Sequence, residues 1–200
     1  HKPPPPLLSG LVGSEMCIRD RVMDGEWLRS GDIGKIDSDG YVTITGRKKE
    51  LYVSSGGKNI APLVIEETMK GIPLISQFFL VGDARKFCSG LVTLDVSAIL
   101  RDKFGMDGAH LPKDPAKQIA LLNEQGHQLS EYTDSPDIHA EIEAQLMELN
   151  KQFAPPEQVK KFTILPRDFT VDDGELTPTL KIRRIQIREN WGDEIEQMYA

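Results

Sequence analysis

The chain has 200 residues, of which 39% are hydrophobic and 28% are charged, and its formal net charge is −7. This composition is typical of a soluble globular protein with one or two small domains. The negative charge argues against broad nucleic-acid binding, and no run approaches the roughly 18 apolar residues that indicate a membrane span. Cys17 and Cys88 are the only cysteines, so no disulfide framework is indicated and a reducing compartment is favoured.

The first 21 residues differ in composition from the rest of the chain. A polyproline stretch at Pro3–Pro6 precedes the short apolar segment Leu7–Gly13. Neither a convincing basic amino-terminal region nor a small-residue cleavage site accompanies that segment, so a signal peptide is not favoured. We interpret residues 1–21 as disordered or artefactual. Because the chain begins at His1 rather than at methionine, we expect it to be a piece of a longer protein.

A β-hairpin is predicted after this segment. Short β runs at Ile33–Ile36 and Val42–Ile44 flank Asp37–Gly40, whose Asp and Gly residues tolerate turn geometry. Asp32 directly precedes the first run. Two interpretations of this carboxylate stay open: it stabilises a turn beside neighbouring glycines, or it accepts hydrogen bonds from sugar hydroxyls.

The segment Gly46–Pro62 combines turns with positive charge. It contains three consecutive cations at Arg47–Lys49, a short apolar strand and a Ser-Ser-Gly-Gly turn. Glycine permits sharp bends and close approach to a ligand, and fixed positive charge suits anionic oxygen. Gly56–Lys58 lacks the spacing of a phosphate loop and its following Ser or Thr. The segment is therefore predicted to be a cation-bearing joint.

The next elements indicate a small α+β domain. A helix is predicted over Pro62–Lys70, because proline suits a first helical position and glycine follows the last. Strands are predicted over Ile75–Val81 and Leu91–Val96, with bends at Gly82-Asp83 and Ser89-Gly90. The order strand, helix, strand, strand is typical of an α+β fold.

The second half of the chain is predicted to be mostly helical. Residues 98–130 give weak signals apart from a helix capped by Asp114. A longer helix begins at Pro136, and its apolar stripe is most simply core. That stripe consists of Ile138, Ile142, Leu146, Leu149 and Phe153. A strand at Phe162–Leu165 and a last helix ending near Met198 complete the pattern.

Lys181 is the strongest candidate for chemistry in the carboxy-terminal part. It follows a Thr-Pro-Thr loop and precedes Ile182. An ammonium on a flexible stem suits the neutralisation of phosphate or carboxylate oxygens in a transition state. The alternative is a solvated basic face, which is the commoner role of a run of charges.

The sequence predicts no metal site and no zinc or hydrolase motif. The histidines are isolated and lack metal-ligand spacing. They are His1, His110, His127 and His139.

Three motifs in order resemble the adenylate-forming superfamily of acyl-CoA synthetases, peptide-synthetase adenylation domains and luciferases. They are Trp27–Gly34, Gly40–Pro62 and Leu176–Lys181. Further segments are similar to bubblegum-type long-chain fatty-acid–CoA ligases, as is a long insertion before the helix at Pro136. These segments are Phe87–Leu94, Phe162–Phe169 and Gly174–Thr179.

The resemblance implies an α+β fold in which a small mixed-sheet lid domain carries flanking helices. This carboxy-terminal lid domain would occupy residues 47–200, with a helical insertion around 98–153. Residues 22–46 would form a short β-hairpin remnant at the end of a large amino-terminal adenylation domain. That domain's phosphate loop and acyl pocket are missing from this sequence.

The resemblance also implies a two-step reaction with ATP, a long-chain fatty acid and coenzyme A. The fatty acid would be activated to acyl-AMP, and coenzyme A would then displace AMP. Asp32 and Arg47 would contact the ribose, and Lys181 would bridge the acyl carboxylate and the α-phosphate. Lys49 would be the hinge, and the loop containing Gly56 and Gly57 would line the coenzyme A tunnel. Mg²⁺ would arrive with ATP and be bound mainly by the missing domain.

Two other functions stay open at this stage. One is a non-catalytic interaction fragment, and the other is a different adenylate-forming ligase. The resemblance places the parent enzyme in the cytoplasm, with peripheral association at the endoplasmic reticulum membrane as the alternative location. Its partners would be its small-molecule substrates and its own amino-terminal domain, and no nucleic acid.

Overall fold

The computed structural model describes residues 23–24 and 27–200 of the chain. The segment 1–21, interpreted above as disordered or artefactual, lies outside the described residues. The chain divides into two compact units, a first that ends at Lys49 and a second that comprises Glu50–Ala200.

The described part of the first unit consists of antiparallel strand pairs. Its strands are β1 Met23–Asp24, β2 Trp27–Leu28, β3 Asp32–Ile36 and β4 Val42–Arg47. The pairing of β3 with β4 confirms the predicted hairpin. One carboxylate oxygen of Asp37 closes its turn by accepting the backbone N–H groups of Asp39 at 3.0 Å and Tyr41 at 2.9 Å. Gly40 has a φ of 88°, in the left-handed region that favours glycine.

The second unit alternates short strands with helices. In chain order its elements are β5 Tyr52–Val53, β6 Asn59–Ile60, α1 Pro62–Met69, β7 Ile75–Val81, β8 Cys88–Leu94, α2 Val96–Phe104, α3 Pro115–Glu124, α4 Leu129–Thr133, α5 Pro136–Asn150, β9 Val159–Ile164, α6 Arg184–Asn190 and α7 Gly192–Tyr199. A 3-10 turn at Lys48–Glu50 precedes β5, and another lies at Gly108–His110.

A three-stranded mixed sheet forms the centre of the second unit. Its order is β7-β8-β9, with β7 and β8 antiparallel and β8 and β9 parallel. A parallel pair needs a long crossover connection, and the helices α2 to α5 supply it. This architecture of small sheets with flanking helices confirms the predicted α+β class.

Both faces of the central sheet are covered. Along β7 the side chains alternate, as strand geometry requires. Phe78 and Leu80 belong to one apolar cluster, which includes residues of α1, α2, α3 and α5. Phe79 and Val81 belong to a second cluster, which includes residues of α6 and α7. Every residue of β8 is buried, so this strand is the middle of a three-layer packing.

Several predicted elements agree with the structure. The helix at Pro62 ends at Met69, and β7 has the predicted bounds. Asp114 caps α3 by accepting the Ala116 N–H group at 3.0 Å. The stripe of α5 is core, with Ile138, Ile142 and Leu146 buried. Phe153 lies beyond the end of that helix but still packs against the core.

The bend predicted at Ser89-Gly90 is wrong. Both residues lie inside β8, which begins at Cys88 and ends at Leu94. Gly90 serves close packing rather than a turn, because a Cβ atom placed on it would lie 2.2 Å from Cζ of Phe78. The prediction of a single last helix is also wrong, since Trp191 separates α6 from α7. Helix α2, which Asp95 caps, was not predicted.

None of the helices in the described part of the chain has the length and apolarity needed to cross a membrane.

Replacing Gly90 by Ala should destabilise the second unit by about 1–3 kcal/mol, because the added methyl group overlaps the buried ring of Phe78. Gly108→Ala is the matched control, since a Cβ atom there meets nothing within 4 Å. Urea unfolding followed by circular dichroism measures both. Equal stability of the two variants would contradict the proposed packing role of Gly90.

Candidate functional site

In the first unit, the hairpin brings Asp32 and Arg47 together. They are cross-strand partners at the open end of the β3–β4 pair. The Nε atom of Arg47 lies 3.0 Å from Oδ1 of Asp32, and the two side chains are 65% and 28% exposed. Gly31, with a φ of 78°, accepts the Lys48 N–H group at 2.8 Å. A carboxylate and a guanidinium therefore share one accessible surface beside a glycine.

Lys49 lies in the exposed 3-10 turn Lys48–Glu50. The division between the two compact units falls directly after it. The structure therefore gives Lys49 a position at a junction and no role in a core.

The Gly56–Gly57 loop is a tight connection between β5 and β6. The Ser54 N–H group donates to the Lys58 carbonyl at 2.9 Å, and the Gly57 N–H group donates to the Ser54 carbonyl at 2.8 Å. Ser54 also accepts the Lys58 N–H group through its hydroxyl at 3.0 Å. Gly57 has a φ of 74°, a conformation that a side chain would strain.

A cavity of about 270 Å³ adjoins this loop. Three cations contribute to its lining: Lys58, Arg85 and Lys86. The buried thiol of Cys88 also lines it and donates to the Pro156 carbonyl at 3.4 Å. Burial, with a smaller effect from the Glu157 carboxylate, raises the pKa of Cys88 to about 11. At neutral pH this side chain is therefore a protonated thiol and a weak nucleophile.

Lys181 lies on an exposed, tightly closed turn. Leu176 and Ile182 form an isolated antiparallel bridge at its base. Within it, the Thr177 N–H group donates to the Lys181 carbonyl at 2.8 Å, and the Thr177 hydroxyl accepts the Lys181 N–H group at 3.0 Å. Leu180 has a φ of 59°, which is a strained value for a residue with a side chain. Among the described residues, no carboxylate forms an ion pair with the Lys181 ammonium.

On the amino-terminal side of this turn, Glu175 is fully buried. Its carboxylate accepts two hydrogen bonds from Arg167, at 2.7 and 3.0 Å, and one from Trp191 Nε1 at 2.7 Å. Asn190 and the Thr170 amide donate further hydrogen bonds, at 3.1 and 3.0 Å. Burial alone would raise the pKa of Glu175, but these hydrogen bonds outweigh it and lower the pKa below its ordinary value.

On the carboxy-terminal side, Arg184 forms a bidentate ion pair with Glu66 of α1. The two nitrogen–oxygen distances are 2.7 and 2.5 Å. Arg184 also donates to the Tyr52 hydroxyl at 3.1 Å. Burial would lower the pKa of Arg184, but the ion pair with Glu66 outweighs it and raises the pKa. Motif reasoning missed both Glu66 and Glu175, because an acidic residue on a helix or in a turn usually faces solvent.

The histidines that the structure describes occupy ordinary positions. His110 and His127 pair with Asp107 and Glu131, while His139 stacks on Phe162 with ring centroids 4.2 Å apart. Within the described ranges, no cluster of three or more His, Cys, Asp or Glu side chains could hold a metal ion.

Comparison with known proteins gives many sequence relatives, while no family model matches the chain. FadD15 of Mycobacterium tuberculosis, named a long-chain-fatty-acid–CoA ligase, is 39% identical over 193 residues, which cover 96% of this chain. The ACSBG2 long-chain-fatty-acid–CoA ligase of Gallus gallus is 35% identical over 198 residues and 97% of this chain. Over nearly its whole length, the chain is therefore similar to a part of long-chain-fatty-acid–CoA ligases.

This similarity confirms the recognition from the three motifs. The chain spans only 30% of the length of FadD15 and 26% of that of ACSBG2. The adenylation domain of a carboxylic acid reductase from Segniliparus rugosus, solved with AMP and a co-purified carboxylic acid, matches 90% of this chain and 24% of its own. Its TM-score is 0.63 at 18% identity. That likeness supports the adenylation-domain type of fold and nothing about substrates.

The Cys88 thiol should react slowly with iodoacetamide at pH 8, because it is buried and its pKa is raised to about 11. In urea the same thiol is exposed and regains its ordinary acidity, so alkylation should be faster. Mass spectrometry of the peptide that contains Cys88 follows the rate under both conditions. Equal rates in the native and the unfolded chain would contradict the burial of this thiol.

Proposed function

We propose that the chain is the carboxy-terminal part of a long-chain fatty-acid–CoA ligase. The parent enzyme activates a long-chain fatty acid with ATP to acyl-AMP and transfers the acyl group to coenzyme A. Identity of 39% with FadD15 over 96% of the chain carries this proposal. In it, residues 22–46 end the large adenylation domain, and residues 47–200 form the lid, with the helical insertion around 98–153.

Exposed apolar side chains on the hairpin support its assignment to a larger domain. Ile36 and Val42 face each other across β3 and β4, and they are 72% and 65% exposed, while the neighbouring Tyr41 is 72% exposed. A contiguous apolar surface of this kind indicates a missing partner surface. The parent's own amino-terminal adenylation domain is the partner we assign.

Asp32 and Arg47 are proposed to bind the ribose of ATP and AMP. A carboxylate accepts hydrogen bonds from two sugar hydroxyls, and a guanidinium donates several from a rigid fork. The 3.0 Å contact between the two side chains and the exposure of Arg47 support a shared binding surface. The AMP bound to the Segniliparus rugosus adenylation domain belongs to a protein of the same fold.

Lys181 is proposed to act in adenylation. Attack of the fatty-acid carboxylate on the α-phosphate builds negative charge at phosphorus, which a preorganised cation stabilises. The exposure of Lys181 on a closed turn supports this role, because its ammonium is presented without a neutralising carboxylate among the described residues. Mg²⁺ arrives with ATP and is bound mainly by the amino-terminal domain in this proposal.

Lys49 and the Gly56–Gly57 loop are proposed to serve the second half-reaction. Lys49 is the hinge about which the lid turns, and its position at the boundary of the two compact units supports that role. After the turn, the glycine loop lines the tunnel for the thiol arm of coenzyme A. Two adjacent residues without side chains leave a narrow channel open.

A non-catalytic interaction fragment is the second candidate function. It is favoured by the exposed apolar side chains of Ile36, Tyr41 and Val42, which a binding partner would cover. An intact phosphate loop upstream in the same gene would discriminate in favour of the enzyme.

In the full-length parent enzyme, Lys181→Ala should reduce the rate of fatty-acid-dependent adenylation by about 10²–10³-fold, because it removes a cation aimed at the developing charge. Thioester formation from supplied acyl-AMP should be affected far less. Lys113→Ala, at an exposed lysine distant in sequence, is the control. ATP–pyrophosphate exchange and coenzyme A consumption measure the two half-reactions, and equal losses in both would refute the assigned role.

The 200-residue chain alone should show no fatty-acid-dependent ATP–pyrophosphate exchange, since in this proposal the phosphate loop and the acyl pocket lie elsewhere in the parent. The same assay on the parent enzyme is the positive control. Exchange by the chain alone above the level of a heat-denatured sample would overturn the proposal that adenylation needs the other part of the parent enzyme.

A further inference from the structure

The turn that carries Lys181 is held at both ends by buried carboxylates. Among the described residues, Glu66 and Glu175 are the only acidic side chains that are buried, with exposures of 3% and 0%. Glu175 lies on one side of the turn. Arg184, which pairs with Glu66, lies on the other side, three positions after Lys181.

We propose that Glu66 and Glu175 are positioning residues for Lys181, with Glu66 acting through Arg184. This inference rests on the proposed function in one respect, namely that Lys181 acts in adenylation. The positioning itself concerns contacts within the second unit.

On the Glu66 side, every polar group in the contact is satisfied. The Oε1 atom of Glu66 accepts the Leu80 N–H group at 2.9 Å as well as Arg184. The Tyr52 hydroxyl accepts from Arg184 and donates to the Leu80 carbonyl at 2.8 Å. The start of α6 is therefore fixed to α1 and to the central sheet through four residues.

On the other side of the turn, the backbone of Glu175 itself closes the base of the turn. The Glu175 carbonyl accepts the Arg183 N–H group at 2.8 Å, next to the bridge between Leu176 and Ile182. The carboxylate itself is held by Arg167 and Trp191. The two segments at the base of the Lys181 turn are thus held by buried charges, Glu175 on one side and the Arg184–Glu66 pair on the other.

Stability alone is a weak reason for these contacts. A buried ion pair is often no more stabilising than apolar side chains of similar volume, because both charges lose their hydration. Placement is a stronger reason, since a shift of about 1 Å in a catalytic group reduces a rate by about a hundredfold. The exposed turn, with Leu180 in a strained conformation, has little packing of its own to fix the ammonium.

The first test uses Glu66→Gln in the full-length parent enzyme. The variant keeps the acceptor for the Leu80 N–H group but removes the buried, bidentate counter-charge of Arg184, and only the Glu50 carboxylate at 3.9 Å remains. The kcat for adenylation should fall by up to about a hundredfold, with the KM for ATP and thioester formation from acyl-AMP little changed. Glu67→Gln, at the neighbouring exposed carboxylate of α1, is the matched control and should behave as the wild type.

The double variant Glu66→Gln/Arg184→Gln separates positioning from stability. Removing both members of the pair also removes the cation that the single variant leaves without its buried partner, so the midpoint of urea unfolding should recover toward the wild-type value. The adenylation rate should stay low, because the turn is still not tied to α1. Recovery of adenylation together with stability would overturn the proposal.

Hydrogen exchange in the 200-residue chain tests positioning without any reaction. Glu66→Gln should accelerate exchange of the Thr177, Leu180 and Lys181 amides and leave α5 unchanged. Unchanged exchange in the turn would overturn the positioning role. Accelerated exchange, combined with normal adenylation by Lys181→Ala in the parent, would uphold the positioning and refute the proposed function of Lys181.

Discussion

The ion pair between Arg184 and Glu66 ties the carboxy-terminal segment to the rest of the second unit. It joins residues 118 positions apart, so it connects the helix after the glycine loop with the last segment of the chain. Taking both charges out of water is expensive unless every hydrogen-bonding group finds a partner. The Leu80 amide and the Tyr52 hydroxyl supply those partners. One guanidinium therefore links α6 to Leu80 on the edge strand β7, through Glu66, and to Tyr52 on β5.

The same arginine connects the two apolar layers. Its guanidinium lies 5.5 Å from the ring centroid of Phe79, which belongs to the cluster shared with α6 and α7. Tyr52 belongs to the cluster on the other face of the sheet. Between the layers, β8 is buried throughout, and Gly90 leaves the space that the Phe78 ring fills. The Arg184–Glu66 ion pair and the close packing around β8 thus favour one arrangement of the carboxy-terminal segment.

The sequence was sufficient for elements with a local signal and insufficient where the reason lies in tertiary contacts. The Asp37–Gly40 turn, the proline at the start of α1 and the apolar stripe of α5 all act within a few residues. Ser89-Gly90 has the composition of a turn, yet its glycine is explained by the ring of Phe78 on the paired strand β7. Glu66 is followed by the exposed Glu67, and no local pattern separates them. The candidate site could therefore be named by motif, but its supporting carboxylates could not.

A moving lid also requires rigidity inside the moving part. In the proposed mechanism a turn about Lys49 carries Lys181 toward the α-phosphate and later withdraws it. A hinge changes a few backbone dihedrals and moves the rest of its domain as a body. Any motion of Lys181 relative to the rest of the lid would displace its ammonium from the α-phosphate. A displacement of about 1 Å is enough to reduce the rate about a hundredfold. The strained, exposed turn is the weakest part of that connection, and this is where Glu175 and Arg184 are placed. In this proposal, the buried charges at these two points keep the ammonium accurately placed after a large movement.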